Sequence, residues 1–207
     1  MEVIVIMEIV FIRHGETELN KTGKIQGAYF DYDLNAQGKA YAQKAAAIFN
    51  PVDFDVVFSS PMKRALTTAR IFTKGQKEIN IDQRLVEHNF GEWDGQLLSE
   101  LGKKYPDAVD PWGKASASYV KYAPSGETFA ELNKRCASFL TEMQEKYANK
   151  KVLVICHGTL IRMMFAHYFT AGDLNYFQTI DNCALAKISY CNQTPRINYY
   201  NRLLAPQ

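Results

Sequence analysis

Short apolar runs, separated by longer segments of mixed character, set the pattern of this chain. Apolar and β-branched residues cluster in four clear runs and one weaker run, at positions 8–12, 55–58, 151–156, 184–190 and 197–203. Runs of this length between polar residues are typical of buried strands. We therefore expect residues 1–12 to form the first strand, with Met7 as an alternative translation start.

Helix signals lie on both sides of the second predicted strand. Asn35 is expected to be the N-cap of a helix over residues 36–49, because its side chain can accept hydrogen bonds from the first turn. Ser60 is predicted to cap a helix over residues 61–72, with Pro61 at the favoured first position. These signals place one helix before and one after that strand.

The second half of the chain continues the alternation of strands and helices. Thr128 and Glu131 form a capping box that begins a helix ending near residue 147. Further helices are predicted over residues 159–170 and near residues 96–105. Strands that alternate with helices predict a mostly parallel sheet covered on both faces. The predicted fold class is α/β, a three-layer α/β/α sandwich.

The stretch over residues 89–124 breaks this alternation. It is rich in glycine and proline and holds only one short helical segment. A chain of 207 residues suits one α/β domain better than two small ones. We therefore interpret the chain as a single domain over residues 1–207, with a cap-like insertion at about 89–124.

Composition narrows the possible partners. The 24 basic and 22 acidic residues give a net charge of +2, and no basic stripe is present, which argues against nucleic acid and membrane as partners. The four cysteines form no CxxC pair, so we expect reduced thiols and a cytoplasmic location. The sequence leaves the oligomeric state open.

Polar clusters follow three of the predicted strands. Arg13 and His14 follow the first strand, Arg64 lies just after the second, and His157 follows the strand at 151–156. Ligands of open α/β sheets lie outside the carboxyl ends of the strands, so these side chains are expected to share one crevice. Backbone N–H groups of the helices that follow, at Thr159 for example, are expected to be free for an anion.

These residue types fit phosphoryl transfer. A phosphoryl group carries about two negative charges near neutral pH, and Arg13 and Arg64 can bind its oxygens as planar forks. A protonated His157 would add a third cation without a metal. His14 would be a neutral nucleophile, with one ring nitrogen directed at phosphorus and the other donating to an acceptor that the sequence does not identify.

Glu87 is the candidate general acid, since it lies where an extended segment enters the glycine-rich insertion. A nearby phosphate dianion would favour its protonated form. It could equally be a loop carboxylate paired with Arg84, just as Arg64 could be a surface cation and His157 a buried core residue. No ligand pair has the short spacing of zinc sites, so we expect no metal and no cofactor.

Together these motifs resemble the histidine phosphatase superfamily, in its phosphoglycerate mutase-like branch. The matching stretches are Arg13-His14-Gly15-Glu16-Thr17 with Asn20, Gln26-Gly27, Ser59-Ser60-Pro61 with Arg64, Leu85-x-Glu87 with Phe90-Gly91, Pro124 to Thr128, and Cys156-His157-Gly158. The resemblance implies a phosphoglycerate mutase-like fold, a phosphohistidine on His14 and proton transfer by Glu87. It also implies a phosphate and substrate pocket whose members are Arg13, Asn20, Gln26, Gly27, Arg64, His157 and Thr159.

The insertion bears on which reaction is catalysed. Mutases of this family typically carry arginines there for a second anionic group, whereas residues 85–134 contain none, although lysines such as Lys114 occur. The region offers aromatic residues that could accept an apolar leaving group: Trp93, Trp112, Tyr119 and Tyr122, with Tyr29 and Phe30 nearby. We therefore favour a phosphatase acting on a small phosphate ester of open identity. A cofactor-dependent phosphoglycerate mutase is the alternative, and a catalytically idle phosphate-binding module is a third.

Overall fold

The computed structural model describes residues 6–206, within which one sheet has the strand order β3-β2-β4-β1-β5-β6. The strands are β1 (Ile6–Arg13), β2 (Val56–Ser59), β3 (Ile79–Ile81), β4 (Lys151–Cys156), β5 (Leu185–Cys191) and β6 (Thr194–Arg202). Neighbours from β3 to β1 pair in parallel, and β5 and β6 continue the sheet antiparallel. The predicted mostly parallel sheet is confirmed. The first five residues of the predicted first strand lie outside the described residues.

β3 is absent from the sequence prediction, and the reason is its length. It contains three residues, Ile-Asn-Ile, which pair with β2. A run of three is too short to show a strand period, so only the neighbouring strand makes it recognisable.

Six α-helices connect and cover the strands in the described part of the chain. They are α1 (Glu18–Lys21), α2 (Ala36–Ala47), α3 (Lys63–Thr73), α4 (Leu98–Lys104), α5 (Phe129–Lys146) and α6 (Gly158–Phe169). The Asn35 side chain accepts from the Gly38 N–H at 2.6 Å, which confirms the predicted cap of α2. The capping box of α5 is also confirmed, since Thr128 and Glu131 each accept from the other's backbone N–H.

The predicted start of α3 is wrong by two residues. The helix begins at Lys63, and Met62 rather than Ser60 stands at the N-cap, without a side-chain cap. Ser60 instead lies within 2.8 Å of the His157 ring. Its hydroxyl therefore forms a hydrogen bond with the residue that follows β4 and does not cap α3.

The two faces of β1 show why the domain has three layers. Met7, Ile9 and Phe11 pack into a buried cluster with side chains of α5 and α6. Val10 and Ile12 point to the opposite face and join a second cluster with side chains of α2 and α3. Burying an aliphatic side chain stabilises the fold by about 1.5–3 kcal/mol, so both helix layers hold the central strand. The predicted α/β/α sandwich is confirmed.

Residues 89–124 hold an apolar cluster of their own, which changes the expectation of an aromatic rim. Trp93 and Tyr119 are almost completely buried in that cluster, and Tyr122 stacks on Tyr105 with ring centroids 4.1 Å apart. A segment rich in glycine and proline has few large apolar side chains, so aromatic rings make up much of the interior of this cluster. Trp112 remains exposed.

The cysteines differ in burial. Cys136, Cys156 and Cys183 are buried free thiols, and Cys191 is an exposed free thiol. Burial raises the pKa of the Cys183 thiol to about 12, so this side chain is a neutral packing group near neutral pH. Among the helices in residues 6–206, none is both long enough and apolar enough to cross a bilayer.

Candidate active site

The carboxyl ends of β2, β4 and β1 lie side by side and bring the predicted residues together. The His14 N–H donates to Cys156 O at 3.0 Å, and the Ser60 N–H donates to Ile155 O at 3.0 Å. His157 follows directly, and its ring centroid lies 5.2 Å from that of His14. Clusters separated by more than a hundred residues in sequence therefore meet at one edge of the sheet.

The backbone of its neighbour fixes the tautomer of His14. Nδ1 lies 2.7 Å from Gly15 O, and a carbonyl only accepts, so Nδ1 carries the proton and Nε2 carries the lone pair. Burial, followed by the charges of Arg64 and Arg13, holds the pKa of His14 well below its usual range. The ring is therefore a neutral imidazole at neutral pH, as expected of a nucleophile. The acceptor that the sequence left unidentified is Gly15 O.

Two helices hold the loop that carries His14. The Gly15 N–H donates to Thr68 Oγ1 of α3 at 3.0 Å. Gly38 of α2 lies so close that a Cβ added there would be 2.2 Å from Glu16 O. The Asn182 side-chain amide also donates to His14 O, at 2.9 Å. This packing keeps the imidazole in one position.

Arg64 is completely buried and is held by three hydrogen bonds. Nη1 donates to Phe30 O, Nη2 donates to Gly27 O, both at 3.0 Å, and Nε donates to His157 Nδ1 at 3.2 Å. Burial lowers the pKa of Arg64 to about 10, so it remains a cation at neutral pH. The Gly27 N–H donates to Asp94 Oδ1 at 2.8 Å. Both backbone groups of Gly27 thus have protein partners, and it positions Arg64.

His157 differs from the expected third cation. Its Nδ1 accepts from Arg64, so the proton of the neutral ring lies on Nε2, which donates to Ser60 Oγ at 2.8 Å. Burial, and then the charge of Arg64, holds the pKa of His157 well below its usual range. A guanidinium at hydrogen-bond distance disfavours a second positive charge. His157 in this structure is neutral and helps to orient Arg64.

Glu87 occupies the helix N-terminus that was expected to be free for an anion. Its Oε1 accepts from the His88 and Leu160 N–H groups at 2.8 and 3.0 Å, and Oε2 accepts from the Thr159 N–H at 3.1 Å. Backbone donors and the helix dipole stabilise a carboxylate at this position. The backbone N–H of Thr159 is therefore used within the protein.

The segment that carries Glu87 is supported by Arg135 of α5. The guanidinium donates to Arg84 O, Val86 O and Glu87 O at 2.7, 2.6 and 3.2 Å. It also forms two hydrogen bonds with the Glu127 carboxylate, at 2.6 and 2.9 Å. Burial would raise the pKa of Glu127, but the bonds from Arg135 and His88 outweigh it and lower the pKa to about 2.

The alternative pairing of Glu87 with Arg84 is not observed. Arg84 forms ion pairs with Asp82 and with Glu142, the latter at 2.6 Å. Its side chain therefore points toward α5, whereas the Glu87 carboxylate points toward α6.

A cleft of about 140 Å³ lies at this edge of the sheet. The predicted residues that line it are Arg13, Asn20, Gln26, Glu87 and Thr159, together with Gly158. The lining residues that were not predicted as site members are the polar Lys24, Lys114, Arg162 and Thr179 and the apolar Ile25, Phe90, Leu98, Ala115 and Phe129. His14 and His157 are each one residue along the chain from a lining residue. The predicted residues therefore lie close together, but Arg64, Gly27 and the two imidazoles are not part of the lining.

Two buried donors in this lining have no protein partner. Arg13 Nη1 donates to Ile180 O at 2.6 Å, but Arg13 Nε has no acceptor within residues 6–206. Gln26 Oε1 accepts from Thr17 Oγ1, and Gln26 Nε2 is likewise unpaired in the described chain. An unpaired buried donor costs about 1–3 kcal/mol, which an acceptor-only ligand such as phosphate can recover.

The acidic, histidine and cysteine side chains are not arranged for metal binding in the described chain. Over residues 6–206, no group of three or more such side chains is arranged to hold a metal ion. The polar groups at the cleft are mainly donors, which matches an anion better than a cation.

Arg162 is the most informative residue that sequence reasoning missed. It lies in the second turn of an otherwise apolar stretch of α6 and is 5% exposed. An arginine within such a stretch was a signal, because charged side chains are rarely buried without a purpose. Lys24 and Thr179 carried no comparable signal, since only the folded chain places them at the cleft.

Comparison with known proteins agrees with this geometry. The sequence profile of the histidine phosphatase superfamily (branch 1) matches residues 9–203. Phosphoserine phosphatase 1 of Hydrogenobacter thermophilus is 29% identical over 198 residues, covering 95% of this chain and 92% of that protein. An uncharacterized phosphatase, PhoE of Bacillus subtilis, is 31% identical over 196 residues, covering 93% of each.

A solved structure is similar over nearly the whole chain. It is a mutant phosphoserine phosphatase from Entamoeba histolytica in complex with phosphoserine, with a TM-score of 0.80 and 27% identity. The match covers 94% of this chain and 96% of that one. The family profile spans far more than half of the sequence. The chain therefore belongs to the histidine phosphatase superfamily, and its relatives support phosphatase activity.

Proposed function

We propose that this phosphatase hydrolyses small phosphate monoesters through a covalent phosphohistidine on His14. The observation that carries the proposal is the hydrogen bond from His14 Nδ1 to Gly15 O, which leaves the Nε2 lone pair available. That nitrogen belongs to a neutral ring beside two guanidinium groups, those of the partly buried Arg13 and the buried Arg64. A nucleophile for phosphorus needs this combination of a free lone pair and nearby positive charge.

In the first step, the His14 Nε2 lone pair forms a bond to phosphorus while the bond from phosphorus to the ester oxygen breaks. The electron pair of that bond goes to the leaving oxygen, which takes a proton from Glu87. Arg13 and Arg64 stabilise the charge on the transferred phosphoryl oxygens, and the unpaired donors Arg13 Nε and Gln26 Nε2 provide hydrogen bonds. Asn20 lines the same cleft and completes the proposed phosphate pocket.

Glu87 must enter that step protonated. Its Oε2 accepts one backbone N–H, from Thr159, whereas Oε1 accepts two, so Oε2 is the oxygen with more room for a proton. A phosphate dianion bound in the cleft repels the carboxylate and favours this protonated form.

In the second step, water attacks phosphorus as Glu87, now a carboxylate, accepts its proton. The bond from His14 Nε2 to phosphorus breaks, the lone pair returns to the nitrogen, and inorganic phosphate is released. Glu87 leaves the cycle protonated and ready for the next ester.

Phosphoserine is the first substrate to test, because several relatives are named for it. A cleft of about 140 Å³ suits a small leaving group, and cationic side chains line it. The aromatic rim expected from the sequence is only partly present, since Trp93 and Tyr119 are buried in the insertion whereas Trp112 and Tyr29 are exposed. Three buried free thiols support a cytoplasmic location.

The decisive experiment combines a substrate panel with trapping of the intermediate. The panel contains phosphoserine, an aryl phosphate and both monophosphoglycerates, with and without a bisphosphoglycerate primer and with and without a chelator. We expect hydrolysis to exceed mutase interconversion and to survive the chelator. An acid-labile phosphoprotein should form in the wild type and in His167→Ala, but not in His14→Ala.

His167 is a suitable control because it lies in the last turn of α6, where its ring contacts Asn133 of α5 at 2.9 Å. Near-wild-type turnover by His14→Ala would overturn the nucleophile assignment. Interconversion of the monophosphoglycerates well above the hydrolysis rate would make the mutase the correct assignment.

A further inference from the structure

His88 is a buried histidine to which the proposed mechanism gives no role. Its side chain is completely buried among the rings of Phe90, Tyr119 and Phe129, whose centroids lie 4.5, 5.5 and 5.2 Å from its own. The residue follows Glu87, and its backbone N–H donates to Glu87 Oε1 at 2.8 Å. The contacts that fix His88 therefore also bear on the position of the proposed general acid.

The hydroxyl of Tyr119 determines the direction of the hydrogen bond at His88 Nε2. The hydroxyl oxygen lies 2.9 Å from Nε2 and also within hydrogen-bond distance of two backbone carbonyls, Glu127 O and Asn89 O. Burial, and then the charge of Glu127, raises the pKa of Tyr119, so the hydroxyl keeps its one proton. Carbonyl oxygens only accept, and without that proton they would repel the hydroxyl oxygen, so the proton goes to a carbonyl. His88 Nε2 is therefore the donor to Tyr119 and carries a proton.

The second ring nitrogen of His88 faces a carboxylate. Nδ1 lies 3.3 Å from Glu127 Oε2, which is within ion-pair distance, and it has no other polar partner within residues 6–206. A lone pair on this buried nitrogen would be repelled by the negative oxygen, whereas an N–H would be attracted to it. Since Nε2 is already protonated, a proton on Nδ1 makes the ring an imidazolium.

The charges around His88 favour a positive ring. Glu127 forms two hydrogen bonds with Arg135, and the charge of Glu87 acts on the same guanidinium. The exposed Glu131, in the first turn of α5, is near enough for its carboxylate to interact with His88. Carboxylates therefore outnumber guanidinium groups here if the imidazole is neutral. A buried charge is tolerated where an opposite charge pairs with it, and the imidazolium would supply that charge.

We propose that His88 is a buried imidazolium and acts as a positioning residue for Glu87. Its two ring N–H groups bind Tyr119 of the insertion and Glu127 of the segment before α5. Its backbone N–H, together with that of Leu160, then holds the Glu87 carboxylate at the N-terminus of α6. The positioning role rests on the proposed phosphatase function, whereas the charge of the ring does not.

The charge of the ring can be measured directly. In protein with isotope-labelled histidine at pH 7, proton–nitrogen correlation spectra distinguish a protonated ring nitrogen from a bare one. The chain contains four histidines, and burial lowers the pKa values of His14, His157 and His167. We expect these three rings to have one bare nitrogen each and the ring of His88 to have two protonated nitrogens. A bare nitrogen in all four rings would overturn the proposal.

Two variants assign that ring and test its ion pair. In His88→Gln the signals of the doubly protonated ring should be missing. Glu127→Gln gives a check that does not depend on whether His88→Gln folds. Without the carboxylate, the ring should lose one proton at pH 7. Retention of both protons in Glu127→Gln would contradict the ion pair.

The positioning role is tested with two esters. His88→Gln keeps a donor for Tyr119 but removes the charge that pairs with Glu127, so the segment that carries Glu87 should shift. An alkyl phosphate needs a proton on its leaving oxygen, whereas an aryl phosphate with an acidic leaving group needs it much less. We expect kcat/KM of His88→Gln to fall at least about tenfold more for the alkyl than for the aryl phosphate.

His167→Gln is the matched control, because His167 lies in the last turn of α6 and its ring contacts Asn133. It should change neither rate. Equal losses on the two esters in His88→Gln, or no loss on either, would overturn the positioning role. Failure of the proposed function is distinguishable, because His14→Ala would then hydrolyse the aryl phosphate like the wild type, and the spectra would still report the charge of His88.

Discussion

Arg64 Nε donates to His157 Nδ1 at 3.2 Å, and burial together with this contact keeps the imidazole neutral. A ring nitrogen that accepts this hydrogen bond uses its lone pair and therefore carries no proton. His157, which the sequence suggests as a third cation, is therefore a neutral group that orients Arg64. The positive charge of the site comes from the arginines.

The contact leads to a prediction about activity at acid pH. His14 and His157 both have pKa values well below the usual value near 6.5, chiefly because they are buried. Both rings therefore stay neutral as the pH falls through 6.5. We expect the acid limb of kcat/KM for an aryl phosphate to lie below pH 6.5, after correction for the ionisation of the ester. An acid limb at or above 6.5 would contradict the assigned ring charges.

The same shifts predict how stability depends on pH. In the unfolded chain these histidines bind protons below about pH 6.5, whereas in the folded chain they do not, so the free energy of unfolding should fall as the pH falls. Each contributes a slope of up to about 1.4 kcal/mol per pH unit. Urea unfolding of the wild type and His157→Asn between pH 5 and 7.5 should give a shallower slope for the variant. Equal slopes would contradict the prediction.

Arg135 is predicted to act as a positioning residue for Glu87. Its guanidinium binds three carbonyls of the segment that carries the carboxylate, so Arg135→Lys should misplace the proposed general acid without removing it. A misplaced acid harms esters with poor leaving groups most. We expect kcat to fall by about 10- to 100-fold for an alkyl phosphate and much less for an aryl phosphate with an acidic leaving group.

Arg84→Lys provides the comparison, because Arg84 pairs with Asp82 and Glu142 rather than with the segment's carbonyls. It should change neither rate by more than about twofold, as is usual for a surface ion pair. A uniform loss on both esters in Arg135→Lys would indicate a general structural role instead.

Glycine-to-alanine substitutions should have different effects at the candidate site and away from it. A Cβ at Gly27 would lie 2.4 Å from Asp94 Oδ1 and 2.5 Å from His88 O, so Gly27→Ala should shift the backbone whose carbonyl holds Arg64. We expect both melting temperature and activity to drop. At Gly102 in α4 the nearest atom is 3.5 Å away, so Gly102→Ala should leave activity intact and stabilise by up to about 1 kcal/mol. Similar melting temperatures and activities for the two variants would contradict the prediction that Gly27 positions Arg64.

Local signals explain why much of the fold could be predicted from the sequence. The caps at Asn35 and Thr128 act within three residues, and the apolar runs that became β1, β2 and β4 are visible without knowledge of their partners. The start of α3 could not be predicted, because the Ser60 hydroxyl contacts His157 from a strand far away in sequence.

For the candidate site, the sequence likewise shows some features and not others. Arg13, His14, Glu87 and His157 were recognisable as chemical groups at strand ends or at the entry to the insertion. Their charge states were not, because these depend on burial and on contacts such as that between Arg64 and His157. The sequence likewise does not show that an α6 amide is occupied, since only the fold places the Glu87 carboxylate at the Thr159 N–H.

The fit of Gly38 against Glu16 has a consequence for engineering. α2 contains a glycine in its first turn, and replacing a helical glycine with alanine is ordinarily a stabilising choice. Here the added methyl group would collide with the loop that carries His14. A library of variants selected for turnover should therefore tolerate substitution at position 38 as poorly as at His14, the proposed nucleophile, although glycine has no side chain and takes no part in the chemistry.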